Sequence, residues 1–248
     1  MQIKPSQQLS VVIPMFNEEE NAEPLVLEVY AALAKHPDFE IIVVDDGSKD
    51  ATYAKLSELA KNIPQLRPIQ HNSNFGQSAG LVSGIRMATK PWIVTLDGDG
   101  QNDPADIPKL IQVAESNNTT NSGLLLAGHR VNRKDTNWKK FGSRFANKIR
   151  HWFLRDGCPD TGCGIKMFSR DMFLSLPHFK HMHRYLPALF KRMNAQVINV
   201  PVNHRLRTRG KSKYGNWGRL KVGIVDLFGV AWLIRRIIIP ELKNDNKS

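Results

Sequence analysis

Two cysteines in 248 residues are too few for a disulfide-framed module or a zinc site closed by four thiolates. No apolar run reaches the roughly 18 uncharged residues that mark a spanning helix. The opening MQIKPSQQLS has no apolar core of the kind a secretory signal carries. These absences point to a cytoplasmic chain. Glutamate is missing altogether between residues 130 and 221. There is no internal repeat or low-complexity linker, and 41% hydrophobic with 23% charged residues excludes a disordered or fibrous chain. The length suits one large domain.

What is present is a charge asymmetry. The formal net charge is +12, yet residues 1–129 carry 9 basic and 16 acidic side chains, whereas residues 130–221 carry 22 and 4. A mildly acidic half is followed by one suited to an anion: nucleic acid, a phosphorylated ligand or an anionic membrane surface.

The first half alternates with the period of βα units. Apolar runs at Leu9–Ile13, Glu40–Val44, Arg67–Gln70, Pro91–Leu96 and Leu124–Ala127 predict strands. Helical patterns fall at about 19–35, 48–62 with Ser48 as N-cap, 76–88, and from Pro104 onward. Continuous apolar strands separated by helices predict an α/β fold with a mostly parallel, Rossmann-like sheet covered on both faces. Further on, a helix is expected over Trp138–Phe153, strands at Ile165–Phe168 and Gln196–Asn203, the latter broken by Pro201, and a helix over Tyr185–Met193.

The last predicted element, Trp217–Ile239, is apolar over 222–234 apart from Asp226 and is flanked by Arg219, Lys221, Arg235 and Arg236. Thirteen helical residues rise only about 20 Å, short of the roughly 30 Å hydrocarbon core. An amphipathic helix lying on an anionic membrane surface fits the flanking charges and Trp217 and Trp232; packing in the core or on a partner subunit is the other reading.

Three polar clusters stand at the carboxyl ends of predicted strands, where open α/β sheets bind ligands: Pro14–Glu18, Asp45–Ser48 and Asp97–Gln101. In the last, Asp97, Asp99 and Gln101 can converge on a hard cation such as Mg²⁺ or Mn²⁺. An EF-hand is excluded by Asn102 and Pro108 at the glycine and glutamate positions, and a P-loop ending at Gly210-Lys-Ser212 by Arg205. Gly76, Gly80 and Gly84 have helix-packing spacing, His178, His181 and His183 lack a complementary ligand set, and Cys158 and Cys163 read as free thiols.

The segments VVIPMFNE (11–18), IVVDDGS (42–48), NFGQSAG (74–80) and TLDGDGQ (95–101) resemble family 2 glycosyltransferases of the GT-A fold, especially polyprenyl-phosphate sugar synthases. Gly128-His-Arg130, the stretch 160–166 and the stretch 207–214 extend the likeness over residues 9–215. The resemblance implies a catalytic domain over 1–215, with a nucleotide-sugar half (1–129), a basic acceptor half (130–215) and a membrane-contacting segment (216–248). It implies that Pro14, Asn17 and Glu18 line the nucleotide pocket and that Asp45 and Asp46 contact base and ribose. Asp97, Asp99 and Gln101 would hold the metal and donor diphosphate. Arg130, Lys139, Ser143, Arg209, Ser212 and Lys213 would bind the acceptor phosphate and the diphosphate. Phe16 stands where many relatives have Tyr, and the membrane-spanning helices appended to many bacterial relatives are lacking.

The implied reaction is an inverting, metal-dependent transfer from a nucleotide-diphosphate sugar to a polyprenyl phosphate, at the inner face of the membrane, by a peripherally associated enzyme that could form a homo-oligomer. A phosphate monoester is largely dianionic at pH 7 and is already a nucleophile, so metal on one side and arginine or lysine on the other suffice. A saccharide or protein acceptor is the alternative. Nucleic-acid binding is the remote one, since Trp138, Phe141, Phe145, Trp152 and Phe153 follow the spacing of a buried helical face; nucleic acid is not an expected partner.

Overall fold

A computed structural model describes residues 4–117, 123–131, 150, 153–207, 216–236 and 238, with the backbone alone for 216–222. The strands are β1 (Leu9–Met15), β2 (Phe39–Asp45), β3 (Leu66–Gln70), β4 (Trp92–Thr95), β5 (Leu124–Arg130), β6 (Lys166–Ser169) and β7 (Gln196–Val202). The helices are α1 (Ala22–Ala32), α2 (Thr52–Ala60), α3 (Gln77–Met87), α4 (Ile107–Ser116), α5 (Arg170–Leu174), α6 (Leu186–Arg192) and α7 (Asn216–Arg235).

The strands form one seven-stranded sheet in the order β3-β2-β1-β4-β6-β5-β7. Only β6 runs antiparallel to its neighbours. All seven residues of β1 are buried, as a central strand covered on both faces requires. Alternation along β1 divides the core. Val11 and Ile13 pack with Leu25, Val29 and Leu110 of α1 and α4. Val12 belongs to a second cluster with Leu81 and Ile85 of α3, Phe168, Phe190, and Val230 and Ala231 of α7. Each such fully buried aliphatic side chain contributes about 1.5–3 kcal/mol.

Gly80 and Gly84 pack as their spacing predicts, whereas Gly76 precedes α3 at φ 91° and a Cβ there would have no close neighbour. A Cβ on Gly80 would stand 2.8 Å from the Pro14 Cβ, and one on Gly84 2.5 Å from a Val12 methyl, so α3 lies tightly across β1. Pro201 does not break its strand, because β7 is an edge and an edge strand can spare one N–H. Ser48 is not a helix N-cap: α2 begins at Thr52, and the Ser48 hydroxyl is bonded to Asp45. The expected helix over Trp138–Phe153 falls almost wholly outside the described residues. Phe153, which is described, meets Phe228 of α7 edge-on at 5.3 Å.

The described side chains of α7 are apolar on both sides. Leu227, Val230 and Ala231 are buried, while Ile224, Val225, Phe228 and Trp232 are exposed. Among the described residues, no helix is long and apolar enough to cross a membrane.

Candidate active site

Because β2, β1 and β4 are parallel neighbours, with Met15 opposite Asp45 and Val12 opposite Thr95, the polar segments after them emerge together at one sheet edge. After β1, Asn17 takes φ 47°, a left-handed conformation that Asn tolerates. Its N–H donates to Ser48 Oγ at 2.7 Å, and its Oδ1 accepts from the Lys49 N–H at 2.7 Å. Buried Glu18 accepts from Asn21 Nδ2 and Arg207 Nη2, each at 2.7 Å. Pro14 is buried under α3.

Asp45 and Asp46 are buried and committed to neighbouring loops. Asp45 accepts from the Ser48 N–H at 3.2 Å and Gln70 Nε2 at 2.9 Å. Asp46 accepts from the N–H groups of Phe75 and Gly76 at 2.9 and 2.7 Å and lies 2.7 Å from His71 Nδ1. Both carboxylates fix the loops that follow β2 and β3.

After β4, the Asp97 N–H donates to Asn102 Oδ1 at 3.0 Å, while Gln77 Nε2 donates to Asp97 Oδ1 at 2.6 Å. The Gln101 N–H donates to Asp99 Oδ1 at 3.2 Å. Burial, with the Asp99 charge adding to it, pushes Asp97 up to about 6. A Cβ on Gly164 would collide with the Asp97 carboxyl, so glycine there lets the chain close over it.

The basic side comes from β5, β6 and the turn before α6. Arg130, at the end of β5, grips Asp160 with two bonds of 2.6 and 2.7 Å, a bidentate pair that fixes the guanidinium plane. Buried Lys166 donates to the carbonyls of Cys163 and Thr161. With Asp97, Gln77, Gln101, His183 and Arg184, these cations line a cavity of about 430 Å³. Burial holds His183 well below its usual pKa, so at neutral pH it is the uncharged imidazole. Both cysteines are free and buried, and burial lifts the Cys163 thiol to about 11, which keeps it protonated.

The segment after β7 returns to the acidic loop. His204 bridges to Asn102, and the Arg205 N–H donates to the Gln101 carbonyl at 3.0 Å. Arg207 then reaches Glu18, with its other terminal nitrogen 3.8 Å from Asp99 Oδ2.

The site thus gathers Asn17, Glu18, Asp97, Asp99, Gln101 and Arg130, while Lys139, Ser143, Arg209, Ser212 and Lys213 lie outside the described residues. Gln77, Asp160, Lys166, His183, Arg184 and Arg207 were not assigned from the sequence. Gln77, Asp160, Lys166 and Arg207 stand inside the recognised stretches, so their signal was available. His183 and Arg184 reach the cavity only through packing.

Two carboxylates and an amide are hard oxygen donors suited to Mg²⁺ or Mn²⁺. Mutual repulsion and burial at Asp97 are what a bound cation would relieve. No group of three His, Cys, Asp or Glu that could hold a metal occurs among the described residues. The donor set therefore fits an ion that completes its shell with substrate oxygens and water.

The model described as glycosyl transferase family 2 matches residues 10–176. A dodecaprenyl-phosphate galacturonate synthase of Rhizobium johnstonii is 36% identical over 235 residues, 93% of this chain and 68% of that protein. An undecaprenyl-phosphate 4-deoxy-4-formamido-L-arabinose transferase of Enterobacter sp. is 34% identical over 211 residues, 83% of this chain and 62% of that protein. The chain spans about two thirds of the length of these curated relatives. A solved mannosyltransferase from Pyrobaculum calidifontis, in complex with GDP-Man and Mn²⁺, matches with a TM-score of 0.66 at 20% identity, covering 96% of this chain and 67% of that one. Glucosyl-3-phosphoglycerate synthase from Mycobacterium tuberculosis, with Mn²⁺, UDP-glucose and phosphoglyceric acid, matches with a TM-score of 0.65 at 19% identity, covering 94% and 81%. These two likenesses show the GT-A fold alone. With the family match spanning strands β1 to β6 and a relative 36% identical over 93% of this chain, the chain belongs to glycosyl transferase family 2.

Proposed function

We propose that the protein transfers a glycosyl group from a nucleotide-diphosphate sugar to a polyprenyl phosphate, with inversion and with a divalent metal, at the inner face of the membrane. The observation that carries this reading is the juxtaposition of the acidic β4 loop with a cavity walled by Arg130, Lys166 and Arg184. The names of the two curated relatives support a lipid-phosphate acceptor.

Asp99 and Gln101, with Asp97 held behind them by Gln77, are the residues that would hold Mg²⁺ or Mn²⁺. When bound, the ion offsets the charge developing on the departing diphosphate. Arg207, with a terminal nitrogen 3.8 Å from Asp99 Oδ2, stands beside the same site. Arg130, Lys139, Ser143, Arg209, Ser212 and Lys213 are the residues the family resemblance assigns to the diphosphate and the acceptor phosphate, and an oxygen of the acceptor phosphate forms the new bond to the anomeric carbon. The bond from that carbon to the diphosphate breaks, and its electron pair leaves with the nucleoside diphosphate. Such a displacement inverts the anomeric centre. The phosphate needs no general base at neutral pH; the protein's work is alignment and charge neutralisation.

The exposed apolar side of α7, Ile224, Val225, Phe228 and Trp232, supports contact with a membrane surface, with Arg235 and Arg236 beside it for anionic headgroups. Residues 1–215 then form the catalytic domain and 216–248 the membrane-contacting segment.

Calorimetric titration with UDP- and GDP-sugars, in Mn²⁺ or in EDTA, tests the donor side. Saturable binding of one donor that EDTA abolishes is expected; no binding of any donor would contradict it. Proton NMR of the product then reads whether the anomeric configuration has inverted.

A further inference from the structure

The cavity beside Asp97 is lined by three cations, Arg130, Lys166 and Arg184, against one carboxylate, Asp97. Arg130 is committed to Asp160, and Lys166 to two backbone carbonyls. Among the described residues, the Arg184 guanidinium has neither a hydrogen-bond nor an ion-pair partner. His183 beside it is neutral, so it cannot share an anion's charge.

The turn that carries Arg184 is held from the terminal helix. His181, at φ 65°, lies with its Nδ1 3.0 Å from Asp226 Oδ2. The Tyr185 hydroxyl donates to the Gly223 carbonyl at 3.1 Å. On its inner side the turn meets α3, where Ser78 Oγ lies 2.8 Å from His183 Nδ1, one residue from the Gln77 that holds Asp97. Asp226 is the one acidic residue in the apolar stretch 222–234. It points to this turn and away from the exposed face of α7.

We propose that Arg184 receives a second anion in the cavity, distinct from the donor diphosphate, and that His181 and Asp226 are the positioning pair that holds it there. The anion is an oxyanion of phosphate or carboxylate chemistry: the phosphate of the lipid acceptor, or a carboxylate on the transferred sugar. The proposal rests on the transfer reaction inferred above.

The test uses the full chain, polyprenyl phosphate in detergent, and UDP- and GDP-linked donors bearing neutral hexoses or hexuronates. Wild-type transfer establishes the underlying reading, and its absence with every donor refutes that reading alone. In R184Q, a KM for lipid phosphate raised about tenfold or more with every donor assigns the acceptor phosphate. Loss confined to hexuronate donors assigns the sugar carboxylate. D226N and H181N should raise the same KM by a smaller factor, and D226N should add nothing on top of R184Q. Circular dichroism checks folding. Should R184Q not fold, R184K, which keeps the charge and loses the planar fork, carries the same comparison. Unchanged KM values in the Arg184 variant, or a full additive effect of D226N beside it, overturns the proposal.

Discussion

The Arg207 guanidinium donates to the Glu18 carboxylate at 2.7 Å, joining the segment after the edge strand β7 to the loop after the central strand β1. The two residues are 189 positions apart, and the contact closes the site between the acidic and basic halves of the chain. Replacing Arg207 by Ala removes a charge-assisted bond worth about 1.5–3 kcal/mol. A donor KM raised about tenfold or more is expected from initial-rate kinetics, with the thermal midpoint lowered by several degrees because buried Glu18 loses its cationic partner.

Asp99→Asn keeps the size of the side chain and removes a charge that the metal requires. Turnover should fall on the order of 10²–10³-fold, and titration should show loss of Mn²⁺-dependent donor binding. Retention of both would remove Asp99 from the metal site.

Asp97 is pushed up to about 6 by burial and by Asp99. Below that pH it binds a proton that metal binding must displace. Mn²⁺ affinity should therefore fall by up to about tenfold per pH unit below 6 and level off above it. For the metal-free protein the sign is opposite: a raised carboxylate favours the protonated native state, so stability declines as pH rises from about 4 to 6. Mn²⁺ titrations and thermal melts across pH 4–8 read both slopes.

At the opposite end of the sheet, Glu40 accepts from Ser10 Oγ at 2.7 Å, the Thr89 N–H at 2.6 Å and Arg67 Nη1 at 3.0 Å. These bonds hold its pKa below the usual carboxylate range despite burial. Its contribution is present above the unfolded pKa and lost as pH falls through the folded one. Glu40→Gln should cost about 1–3 kcal/mol, lowering the melting midpoint by several degrees while leaving kcat/KM of the folded enzyme unchanged.

Most of the sheet was legible because its strands are continuous apolar runs such as Leu9–Ile13, and the three acidic clusters were legible because strand ends locate them. Ser48 misled because a polar residue before a helical pattern looks like a cap, whereas its hydroxyl is held by Asp45. Asp45 and Asp46 were expected at base and ribose, and their bonds to Gln70 and to the Phe75 and Gly76 N–H groups were not legible, since these depend on where the chain returns after β3. Arg184 has no motif of its own and reaches the cavity only because α7 and α3 hold its turn.

The most direct measurement is lipid-extractable label after incubating the protein with radiolabelled UDP- and GDP-sugars and polyprenyl phosphate, with Mg²⁺, Mn²⁺ or EDTA and with Asp99→Ala as control. The account predicts label in the lipid phase from one donor class, dependent on metal and abolished in the variant. Binding of a nucleotide sugar without any lipid-phase label under these conditions would contradict the polyprenyl-phosphate acceptor.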